Sequence, residues 1–133
     1  MHASSEWKGG THYEGKTDSG HAILFDADAA HTAGPSPMEA VLAALCACTS
    51  VDVVSILAKK RQPVSSLTVT ANAEQPAEAP RVFTKIHLTY RVSGDGLTPK
   101  AVEDAVALSK DKYCSVSLML QSSVAFSYSI EYV

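Results

Sequence analysis

The polar first third of the chain, up to Gly34, is rich in Gly, Thr, His and Asp. Its short extended stretches, residues 5–8, 11–15 and 21–26, are separated by the turn residues Gly9-Gly10 and Asp18-Ser19-Gly20. Turn chemistry at that spacing predicts a small meander of strands. The pattern then changes abruptly, because nearly every position of residues 38–57 is apolar. Ser36 as N-cap, Pro37 at the first helical position and Glu39 at the third form a capping box. Lys59, Lys60 and Arg61 suit the negative end of a helix, and Pro63 terminates it. A helix of about six turns that is apolar nearly all round is expected to be surrounded by protein.

Period-two alternation follows. Leu67, Val69, Ala71 and Ala73 alternate with Thr68, Thr70, Asn72 and Glu74, and Val82, Ile86, Leu88, Tyr90 and Val92 with Lys85, His87, Thr89 and Arg91. Two long strands, each burying one face, are predicted across a turn from Pro76 to Pro80. After Gly94-Asp95-Gly96, Thr98 and Pro99 open a second helix with Val102, Ala105, Val106 and Ser109 at helical spacing. Lys112-Tyr113-Cys114 reads as a break, residues 115–121 as a short apolar helix, and Val124, Phe126, Tyr128, Ile130 and Tyr132 as one face of a closing strand. Strands and helices that do not alternate as βαβ units predict one α+β domain over residues 1–133, with antiparallel sheets packed on a long helix.

Composition narrows the functional classes. The 133 residues are 46% hydrophobic and 19% charged, a globular balance that supports a core without disulfides or a structural metal. Eleven basic against fourteen acidic residues leave no basic stripe for nucleic acid or an anionic membrane surface. Residues 41–57 are apolar enough to raise the question of a membrane span, but Asp52 interrupts them, with Thr49, Ser50 and Ser55 nearby, and a buried helix is the better reading. Residues 1–10 lack the apolar stretch of a signal peptide, so a cytoplasmic protein is expected. Three cysteines in such a chain read as reduced thiols, and any disulfide as a working one.

Cys46 and Cys48 lie about 200° apart around a helix axis, so they neither chelate one metal together nor bond to each other there. His2, His12, His21, His31 and His87 show no short ligand pairing, and neither a metal nor a cofactor is expected. Cys46, between Leu45 and Ala47, reads as a small hydrophobe. Cys48 precedes Asp52 by one turn, and a carboxylate in so apolar a helix requires a partner inside the protein. That carboxylate raises the pKa of a neighbouring thiol, so a thiolate at Cys48 requires a cation close by. Cys114 stands where two helices meet, a position that favours thiolate. From these residues alone, the chain is a soluble domain with thiol redox chemistry as its candidate activity.

Three segments carry a resemblance: Gly34-Pro35-Ser36-Pro37-Met38-Glu39; Leu42-Ala43-Ala44-Leu45-Cys46-Ala47-Cys48-Thr49-Ser50-Val51-Asp52-Val53-Val54; and Asp111-Lys112-Tyr113-Cys114-Ser115-Val116-Ser117. Together with the order of elements, they resemble the OsmC/Ohr family of thiol-dependent peroxidases, in its OsmC-like branch. The resemblance implies an intertwined homodimer with active sites at the subunit interface, Cys48 as the peroxidatic thiol and Cys114 as the resolving one. It also implies reduction of organic hydroperoxides in oxidative-stress defence, with an external lipoyl-type or small dithiol as reductant. Where the family's stronger peroxidases carry an Arg in the N-terminal strands, this chain has none before Arg61. Lys16 or Arg81 would replace it, and Arg81, close before Phe83, resembles what this branch carries. Met38 stands at the motif's Glu position and Glu39 follows it, either as a helix cap or in the catalytic role. Ser115 takes the place of a Pro and Cys46 that of a small residue. A binding protein of the same fold for a small apolar ligand, or a redox sensor with little turnover, are the alternatives.

Overall fold

Turns rich in glycine place three antiparallel strands at the start of the chain: β1 (Ala3–Gly9), β2 (His12–Thr17) and β3 (Ala22–Asp26), in that order across the sheet. Gly9 and Gly10 both adopt positive φ, 100° and 55°, where an L side chain is disfavoured, and the register shifts between Trp7 and Gly9. The computed structural model describes all 133 residues. They group into two compact units, Met1–Leu42 and Ala43–Val133. In the first unit Asp26 is buried and organises the chain beyond β3. Its carboxylate accepts from the Thr11 hydroxyl at 2.7 Å and from the amides of Asp28 and Ala33 at 2.9 and 3.1 Å. These bonds favour the charged form and hold its pKa far below the usual carboxylate range.

Helix α1 (Pro37–Lys59) starts as its sequence predicts. The Ser36 hydroxyl accepts from the Glu39 amide at 3.1 Å, and the Glu39 carboxylate accepts from the Ser36 amide at 2.9 Å. Its far end closes with the Gln62 amide on the Leu57 carbonyl at 2.9 Å and the Arg61 amide on Ala58, with Arg61 at φ 56°. This is the Schellman pattern, with an arginine where glycine is the usual residue.

The second unit holds most of α1 and a sheet of β4 (Ser66–Glu74), β5 (Lys85–Ser93) and β6 (Ala125–Tyr132), with β5 in the middle. β4 and β5 are antiparallel, whereas β5 and β6 run parallel, from Lys85 opposite Ala125 to Val92 opposite Tyr132. That pairing corrects the expectation of antiparallel sheets alone. The crossover through α2 (Pro99–Leu108), a π-helical turn (Ser109–Tyr113) and α3 (Ser115–Gln121) carries the chain back, so β6 enters in the direction of β5. Val82 lies outside β5 and is exposed, and Phe83 takes the buried place beside the strand.

Alternation along β5 buries Ile86, Leu88, Tyr90 and Val92, and Leu45, Thr49, Val53 and Leu57 bury one stripe of α1 at four-residue spacing. Ala101, Val102, Ala105 and Val106 complete the core from α2. Thr98 precedes α2, but its hydroxyl makes no cap; instead its amide donates to Gln62 Oε1 at 2.8 Å. α1 is long and apolar enough to cross a membrane, yet its buried stripe joins this core and only the remainder faces outward. Val51 and Val54 are 68% and 45% exposed, so the expectation of a helix surrounded by protein is not met within one chain.

Candidate functional site

The π-helical turn sets the position of Cys114. Ser109 is the last buried residue on the face of α2 and its C-cap, and its carbonyl accepts from the Cys114 amide at 2.8 Å, the five-residue step of a π-turn. Cys114 leaves the helical region at φ −72°, ψ 102° and becomes the N-cap of α3, its Sγ accepting from the Ser117 amide at 3.4 Å. Gln121 ties the segment together by donating to the Lys110 carbonyl and the Ser117 hydroxyl, at 2.7 and 2.6 Å.

Folding brings this thiol beside Cys48 of α1, close enough for the Cys48 side chain to hydrogen-bond it and push its ionisation up. All three cysteines are free; Cys114 is fully buried, while Cys46 and Cys48 are half-buried. Burial pushes the Cys114 thiol up to about 12, and the neighbouring Cys48 and Asp52 charges push the same way against the single amide bond from Ser117. Cys114 is therefore a protonated thiol at neutral pH. Burial raises Cys46 as well.

A buried polar chain flanks the thiols. The Thr49 hydroxyl is 2.7 Å from the Tyr90 hydroxyl and 2.8 Å from that of Ser109, which donates to Asp52 Oδ2 at 2.9 Å. Asp52 thus has the interior partner that a carboxylate in an apolar helix requires. The sequence signalled the need for that partner but not its identity, because Ser109 reads as one more core position of a helix. Burial also raises the Tyr90 phenol to about 12.

The remaining candidates make their hydrogen bonds and ion pairs with other residues. Glu39 caps α1 and stands 3.7 Å from His31, within the first unit. Arg81 lies exposed in the β4–β5 connection, its Nε donating to the Pro76 carbonyl at 3.0 Å and its own carbonyl accepting from Gln75. Lys110 pairs with Asp111 at 2.9 Å, and Lys112 lies 5.3 Å from the centre of the Tyr113 ring. Lys16 pairs with Glu14 at 3.3 Å. No group of three or more His, Cys, Asp and Glu is placed to hold a metal ion. Two neighbouring thiols, one partly exposed and one buried, are the elements of a reversible disulfide.

Comparison with known proteins places this geometry in a family. The model of OsmC-like proteins matches residues 29–129, which include both thiols and the whole of α1. Protein YhfA of Escherichia coli K12 is 47% identical over 133 residues, covering 100% of this chain and 98% of its own. A hypothetical protein of Aquifex aeolicus superposes with a TM-score of 0.88 at 31% identity, over 99% of this chain and 95% of its own. An organic hydroperoxide resistance protein OsmC of Legionella pneumophila shares the fold, with a TM-score of 0.70 at 16% identity over 97% and 94% of the two chains. With its two small sheets, three helices and paired thiols, the chain belongs to the family of OsmC-like proteins.

Proposed function

We propose that this protein reduces organic hydroperoxides through its paired thiols, as a cytoplasmic homodimer in oxidative-stress defence. The observation that carries the reading is the asymmetry of the pair: a half-buried Cys48 beside a Cys114 that is fully buried and whose pKa that burial raises. The fold shared with a protein named for organic hydroperoxide resistance supports the same substrate class.

In the first step the Cys48 thiolate attacks the terminal oxygen of the hydroperoxide. The S–O bond forms, the O–O bond breaks, and the alkoxide leaves as an alcohol after taking a proton. Cys114 sulfur then displaces the sulfenic oxygen as water, its own thiol proton being lost in the step, and the S–S bond closes. An external dithiol reopens it by two thiol exchanges, leaving as its own disulfide. Keeping Cys114 protonated protects it from direct oxidation, because the thiolate is the reactive form.

A thiolate at Cys48, one helical turn before the Asp52 carboxylate, needs a positive charge to balance it. Arg81, exposed and bonded only through Nε, is the cation we assign to it, and Glu39 contributes by capping the helix that carries Cys48. The exposed Val51 and Val54 of α1 are the surface we assign to the second subunit. The carboxylate beside the thiols also favours a second reading, a redox sensor that oxidises once and turns over slowly. Consumption of cumene hydroperoxide with excess dithiol separates the two. The wild type is expected to turn over continuously, Cys48→Ser to lose at least about a hundredfold, and Arg81→Ala about tenfold in the peroxide-dependent rate constant. Equal rates in wild type and Cys48→Ser overturn the peroxidase, and one equivalent consumed without turnover selects the sensor.

A further inference from the structure

We propose that Ser109 is a positioning residue for the thiol pair, holding Cys114 against Cys48 through the hydroxyl chain Tyr90–Thr49–Ser109–Asp52. The inference rests on the reading of Cys48 and Cys114 as partners, and it adds residues that the family resemblance does not assign.

Ser109 is fully buried and faces both thiol-bearing segments. Its side chain is fixed to α1 at two points one turn apart, Thr49 Oγ1 at 2.8 Å and Asp52 Oδ2 at 2.9 Å, the residues one and four places after Cys48 on the same helix. Its carbonyl holds the Cys114 amide at 2.8 Å. One residue therefore links the helix of the first thiol to the backbone of the second. A regular α-helix through residues 109–114 would instead bond the Cys114 amide to Lys110 and turn the thiol by about 100° around the axis. The Lys110 carbonyl accepts from Gln121 Nε2, so the π-turn leaves no acceptor stranded. Tyr90, buried on the central strand, anchors the far end of the chain at 2.7 Å from Thr49.

Losing a buried hydrogen bond at Ser109 frees the turn, and the entropic cost of closing the disulfide rises accordingly. The test measures the equilibrium between the reduced pair and its disulfide in buffers of oxidised and reduced dithiothreitol, in a Cys46→Ser background so that only two thiols take part. Oxidised dithiothreitol takes two electrons and two protons from the pair and leaves as the dithiol. Ser109→Ala is expected to lower the equilibrium constant about tenfold while the alkylation rate of Cys48 by iodoacetamide, read by peptide mass, stays within about twofold. Thr49→Val should reproduce that loss, and Thr49→Ser, which keeps the hydroxyl, should restore the wild-type value. An unchanged constant in Ser109→Ala, equal constants in the two Thr49 variants, or a parallel change in Cys48 alkylation overturns the proposal. So does the absence of any Cys48–Cys114 disulfide in the parent. A disulfide that responds as expected in a protein whose Cys48 ignores hydroperoxide would instead leave the positioning role standing and remove the peroxidase.

Discussion

Cys114 shows how one residue's surroundings choose its chemistry. An ordinary thiol of pKa 9.0 is pushed up to about 12 by burial and by the charges on Cys48 and Asp52, and the amide of Ser117 offsets only part of that. The folded state thus holds a proton that the unfolded chain releases once pH passes 9.0. A pKa raised by folding adds nothing to stability changes below that point and costs stability as pH climbs from there toward the folded value. Tyr90, raised from 10.0 to about 12, acts in the same direction. Chemical denaturation of the reduced protein should therefore show stability falling from pH 9 upward, by at most about 1.4 kcal/mol per pH unit for each group. Cys114→Ala should flatten the dependence just above pH 9 and leave the Tyr90 contribution in place. A profile identical to wild type would mean that this thiol ionises normally.

Among the elements, α1 carries most of what local sequence could reveal. Its capping box joins residues three apart, and its exit closes within five, so Ser36, Glu39 and Pro63 mark both ends from the sequence. Arg61 is the exception, since the Schellman exit forces φ 56° on a residue with a Cβ. Arg61→Gly should stabilise the fold by about 0.5–1 kcal/mol, the relieved strain exceeding the added freedom of the unfolded chain. A drop in thermal midpoint would show that the arginine side chain makes a compensating contribution. The π-turn was not legible in the same way. Its step from Ser109 to Cys114 depends on Thr49 and Asp52, some sixty residues earlier, and periodicity sees Ser109 only as the next core position of α2. The direction of β6 was hidden for a similar reason. Alternation fixes which face a strand buries, while parallel pairing with β5 follows from where the α2–α3 crossover delivers the chain. For the site, spacing separated Cys46 from Cys48 and the lone carboxylate demanded a partner, but only the fold joins Cys48 to Cys114.

At the scale of the whole molecule, the apolar surface left uncovered by one chain is the feature that calls for a partner. Trp7, Leu24, Val51 and Val54 are 65%, 54%, 68% and 45% exposed, and the last two lie on the helix that carries Cys48. Exposed apolar side chains on one helix face, such as Val51 and Val54, mark association surfaces. Sedimentation equilibrium at micromolar concentration should return the mass of two 14.1 kDa chains, and Val51→Glu with Val54→Glu should return one. A monomeric wild type would leave the outer face of α1 without an explanation. In the proposed dimer, the helix at the subunit interface is also the one that carries Cys48.

The most direct test of the central claim is a single-turnover mass measurement. Fully reduced protein is mixed with one equivalent of cumene hydroperoxide in the absence of any dithiol. The wild type should lose two hydrogens as a Cys48–Cys114 disulfide, Cys114→Ser should gain one oxygen at Cys48, and Cys48→Ser should keep its mass. Oxygen added at Cys46 or a methionine, with the Cys48 and Cys114 peptides unchanged, would contradict the account.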